Sequence, residues 1–159
     1  LSTWVAWLAQ TEGSIALHES LLMYPLVETL HVVAIALFVG TINMVDLRLL
    51  GFPRSLPVSG TARHLLPWSL GSLLLVVPSG LMMFSAHATE FADNTAFRVK
   101  MLLLATAAAN AGWFHRTSFR SVADWNTGVP PPLASRVAAG VSLMLWIGVI
   151  GCGRLIAYL

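Results

Sequence analysis

Four long apolar runs alternate along the chain with shorter stretches that hold most of its charges. A bilayer core of about 30 Å needs roughly 20 mostly apolar residues in a helix, and the runs over 25–47, 64–87, 95–116 and 133–157 meet that length. Pro25 suits the first turn of the first run. Asp93 or Asn94 is placed to cap the third, and Pro130, Pro131 and Pro132 force a break before the fourth. Pro78 lies inside the second run and predicts a kink. Ahead of these, residues 1–24 carry Trp4 and Trp7 among small polar residues, with a break at Gly13. This segment reads as two short interfacial helices at headgroup level rather than as a signal peptide. The expected fold is all-α: an integral membrane four-helix up-and-down bundle with short N-terminal interfacial helices.

Composition narrows the class further. Of 159 residues, 57% are apolar and only 10% charged, too little polar surface to clothe a water-soluble enzyme. One cysteine closes no internal disulfide. The net charge of +2 does not point to nucleic acid, because the basic residues are dispersed over connections. Their distribution instead gives an orientation. Arg48, Arg54, Arg63, Arg116, Arg120 and Arg136 fall on one side, and Arg98, Lys100 and Arg154 on the other. The positive-inside rule then puts both termini outside, periplasmic for a bacterial inner (cytoplasmic) membrane.

Depth sorts the chemistry. An ionisable side chain near the membrane centre costs about 2.5–3.5 kcal/mol on insertion scales, so those within the runs need compensation. His31 and His87 fall near the outer level, His64 and His115 near the inner one. Imidazoles facing each other across a bundle are the arrangement that holds a b-type haem through both axial positions. One or two haems are therefore expected, with His31, His87, His64 and His115 as iron ligands. Gly80 and Gly151 would open a flat slot, and Arg154 would pair with a propionate. Small residues at such spacing also serve plain helix packing. Glu28, one turn before His31, is expected to form an intramembrane ion pair with Lys100. Phosphate loops, HExxH and CxxC motifs are absent from the sequence.

The runs YPLVETLHVVAIALFVGTINMVDLRLLG, PWSLGSLLLVVPSGLMMF, FRVKMLLLATAAANAGWFHR and RVAAGVSLMLWIGV resemble an uncharacterised family of small bacterial four-helix membrane proteins. More loosely, His31 and Gly40 on one helix with Lys100 opening a later one resemble the copper-resistance membrane protein D group and the membrane-bound, haem-containing protoporphyrinogen oxidases. In the latter, a His of the first helix and a Lys of the third are functional; the resemblance implies that role for His31 and Lys100. The leading expectation is an electron-carrying b-type haem membrane protein, a non-catalytic subunit or partner of a redox complex, with a redox protein or a quinone as partner. Copper or other metal transport, a porphyrin-oxidising membrane enzyme and a purely structural membrane subunit are the alternatives. Exposed apolar faces leave room for homo- or hetero-oligomers.

Overall fold

The computed structural model describes residues 2–158, and all regular structure among them is helical. Two short helices, α1 (Ser2–Ala9) and α2 (Glu12–Glu19), precede two long ones, α3 (Met23–Leu50) and α4 (Val58–Ala86). A short α5 (Ala88–Asp93) leads into α6 (Thr95–Arg116), a 3-10 segment (Ser118–Trp125) and α7 (Leu133–Leu155). Local chemistry sets most ends. Gly51 terminates α3 at φ 106°, where a side chain would be strained, and Phe52 N–H donates to Leu47 C=O at 3.0 Å. Asn94 rather than Asp93 caps α6, its Oδ1 accepting from Phe97 N–H at 3.2 Å.

One boundary departs from the sequence expectation. Helix α4 begins at Val58, six residues before His64, so Pro67 as well as Pro78 lies inside it. The reason is tertiary. Asn126, beyond the 3-10 segment, accepts Ser59 N–H on its Oδ1 at 2.9 Å and Val58 N–H on its carbonyl at 3.0 Å. Two orphan donors of the first turn are thus satisfied by a residue 67 positions away from Ser59. Arg48, only 1% exposed, donates to that same Asn126 carbonyl at 3.0 Å and to the Leu56 carbonyl. Beside this node lies the main apolar core, Leu49, Val58, Phe114, Trp125, Ala138 and Ala139.

Three helices, α3, α4 and α7, are long and apolar enough to cross a membrane. Within the protein only 22%, 17% and 22% of their apolar windows are buried. So much outward-facing Leu, Val and Ile requires lipid to cover it, which marks a multi-pass membrane protein. The fourth expected span forms as α6 with the expected bounds, but Arg98, Lys100 and Asn110 dilute its apolar character. Length and composition therefore support three spans rather than four.

The long helices are not packed as a closed square. Helix α3 lies against α4, α6 against α7, and the two pairs join along α3 and α7. No Cα of α4 comes within 8 Å of a Cα of α6. Close-packed helix axes lie 8–10 Å apart, so α4 and α6 are not packed backbone to backbone and meet through side chains, Phe84 stacking on Phe97 at 5.3 Å between ring centroids. At one end, α2 is tied to α4 by Ser14 Oγ–H donating to the Ser85 carbonyl at 2.6 Å. Trp4 and Trp7 of α1 are exposed and meet edge to face at 6.3 Å.

Candidate functional site

Helix α3 presents His31 to α4. Its Nδ1 lies 2.8 Å from Ser79 Oγ, and the Ser79 hydroxyl hydrogen is directed back to the Leu75 carbonyl. Ser79 therefore accepts from Nδ1–H, and the lone pair of His31 is left on Nε2, which no described residue engages. Metal-binding histidines are oriented in this way, one nitrogen tethered so that the other is presented. Gly80 lets the ring approach: a Cβ there would lie 3.0 Å from His31 Cε1. The glycine read as a cofactor slot is thus filled by the imidazole itself.

Lys100, on α6, lies within electrostatic range of the His31 ring. Its Nζ would lie 3.8 Å from a Cβ at Gly153 of α7, while Leu103 fills the space beside Gly148, 3.0 Å from a Cβ there. Gly148 and Gly153 of α7 thus receive α6 side chains, whereas Gly151 is exposed and faces open space. His31 and Lys100, far apart in sequence, are brought to one region of the bundle. Glu28 does not join them. It is exposed, and the one salt bridge among the described residues is Arg98–Asp93 at 3.4 Å.

The other histidines occupy different settings. His87, at the junction of α4 and α5, meets His18 at 4.8 Å, Tyr24 at 5.0 Å and Phe91 at 5.8 Å between ring centroids. Its Nδ1 is buried without a partner. Eight residues of α4 separate His87 from Ser79, about 12 Å along the helix, so His87 stands a level above His31. The sequence signal missed here was His18, whose helix folds back over the end of α4. His64 is exposed near the start of α4. His115 is exposed, its Nδ1–H donating to the Ala111 carbonyl at 2.9 Å. Arg154 donates to Tyr158 Oη at 3.1 Å and lies over that ring. Among the described residues no three His, Cys, Asp or Glu side chains gather as a metal site.

At the opposite end from His31, a cavity of about 210 Å³ lies between α3, α4, α6 and α7. Thr41, Asp46, Ser69, Asn110, His115 and Ser142 are its polar lining. Asn110 Nδ2–H donates to the Ala138 carbonyl at 2.9 Å, pinning α6 to α7. Asp46 is only 6% exposed, and its Oδ2 is buried with no partner. His64 does not line this cavity.

Compared with known proteins, residues 9–159 match the model of a family of unknown function, DUF6644. The match spans nearly the whole chain, and the protein belongs to that family. No curated protein matches it, and no solved structure does.

Proposed function

We propose that this DUF6644 member binds one b-type haem within the membrane through His31 and carries electrons, as a subunit or partner of a redox assembly. The observation that carries the reading is the Ser79 tether, which orients His31 by Nδ1 and leaves the Nε2 lone pair as a ligand atom. Haem fits this donor set from one side only. Ligation between His31 and His87 does not fit, because the two rings stand about 12 Å apart in level. Nor do His64 and His115 form a second pair, since only His115 lines the inner cavity. When bound, haem supplies a one-electron ferric/ferrous couple. Ser79 fixes the imidazole, and Lys100 contributes a cation suited to a propionate. The proposed setting is a bacterial inner membrane, with α6 as a fourth span and both termini periplasmic.

A second reading is favoured by one observation, that the charge of Lys100 is felt at the His31 ring. That pair is what the likeness to protoporphyrinogen oxidases singles out, and it supports oxidation of a porphyrin-type substrate at the same place. The absorption spectrum of the detergent-purified protein tests the first reading. A Soret band that shifts on reduction, is lost in His31→Ala and survives in His87→Ala is expected. A colourless protein after expression with ample haem, or a band unaffected by His31→Ala, overturns it. Porphyrinogen oxidation by membranes that is lost in Lys100→Met would favour the second.

A further inference from the structure

We infer that the cavity at the inner end of the bundle is a binding site for the headgroup of a lipid-soluble hydroquinone. The inference is independent of the haem reading: Asp46 lies 15 residues from His31 on α3, about 22 Å along the helix.

Three features specify the ligand. First, Asp46 brings a carboxylate oxygen that is buried and unpartnered to the cavity wall. A buried acceptor left unmade costs its full desolvation penalty, so the site requires a donor. Second, His115 also lines the cavity, and its Nδ1–H is committed to the Ala111 carbonyl. In the neutral ring Nε2 is then a second acceptor, on α6 where Asp46 is on α3. Third, most of the remaining wall is apolar, with Leu65, Leu66 and Phe114 among its residues. A ligand with two hydroxyl donors at opposite ends of a flat apolar ring meets all three requirements. An aliphatic alcohol has one donor only, and the oxidised quinone has none. The route is lateral, between α4 and α6, whose backbones do not pack against each other.

The test uses the full chain in detergent micelles and a short-tailed benzohydroquinone kept reduced. Its oxidised quinone and its dimethyl ether serve as comparisons, and binding is read by equilibrium dialysis against protein-free micelles. The hydroquinone is expected to bind about tenfold tighter than either comparison, the value of a hydrogen bond to a charged acceptor. Asp46→Asn keeps the shape but gains an N–H₂ donor, so it shifts the preference towards the quinone by about tenfold. Ala111→Phe, at an exposed position on the cavity lining, weakens all three without disturbing the core. Equal affinities in the native chain, an unchanged preference in Asp46→Asn, or no binding at all would overturn the assignment. The Soret band of the haem reading is a separate measurement and is unaffected by either result.

Discussion

Replacing Gly80 by Ala separates an imidazole cradle from an ordinary helix glycine. In an unobstructed helix the change gains about 0.5–1 kcal/mol, because alanine loses less backbone entropy. At Gly80 the new methyl would sit 3.0 Å from His31 Cε1, 3.7 Å from Nδ1 and 3.8 Å from Nε2. Carbon atoms pack best at about 3.5–4.0 Å, so the ring must retreat by about 0.5 Å. If that retreat runs along the tether, it stretches the 2.8 Å Ser79 contact beyond the usual hydrogen-bond range. Loss of this half-buried bond costs about 1–3 kcal/mol, so the net effect is destabilisation by about 1 kcal/mol. Gly40→Ala, with nothing within 4 Å of the added Cβ, retains the gain. The two variants should therefore differ by about 2 kcal/mol in reversible unfolding by denaturing detergent. In Ser79→Ala, where the tether is already gone, Gly80→Ala should cost much less, so the double mutant is not additive. Equal stabilisation by Gly80→Ala and Gly40→Ala would refute the geometry of the His31–Gly80 approach.

Three further outcomes are expected. Asn126→Ala removes the side-chain cap on Ser59 N–H but leaves the backbone carbonyl in place, and should lower stability by about 1–2 kcal/mol in the same unfolding assay. Arg48→Ala leaves the buried Leu56 and Asn126 carbonyls without their guanidinium donor and opens a void; a loss of about 3–5 kcal/mol is expected, read as protease sensitivity of the loops around Leu56 and Asn126. In a Cys152→Ser background, a membrane-impermeant thiol reagent applied to intact cells should label Thr3→Cys and should label Arg120→Cys only after lysis. The reverse pattern would invert the proposed orientation.

Periodicity and length gave the number and placement of the long helices, because an apolar run of about 20 residues has few other uses. The match of residues 9–159 to an uncharacterised family agrees with the resemblance read from those runs. His31 was legible as well, as a lone imidazole between Leu30 and Val32. Its partner Ser79 was not, since serine within an apolar helix usually bonds back to its own turn, and Ser79 does that and accepts from His31 too. Depth along each run suggested that His31 would face His87. Depth alone carries no rotation about the helix axis and does not foresee α2 folding over the end of α4, where His18 takes that place.

What the sequence determines by itself is the set of long helices, the lipid-facing character of three of them and the caps that are local, such as Gly51 and Asn94. Tertiary structure alone decides which helices touch, that α4 and α6 do not pack backbone to backbone, that Asn126 starts α4 early, and that one carboxylate oxygen of Asp46 is left unpartnered at a cavity. The physical reason is range. Backbone preferences, capping and hydrophobic content act within a few residues, whereas these contacts join side chains tens of positions apart and arise only once the helices have packed.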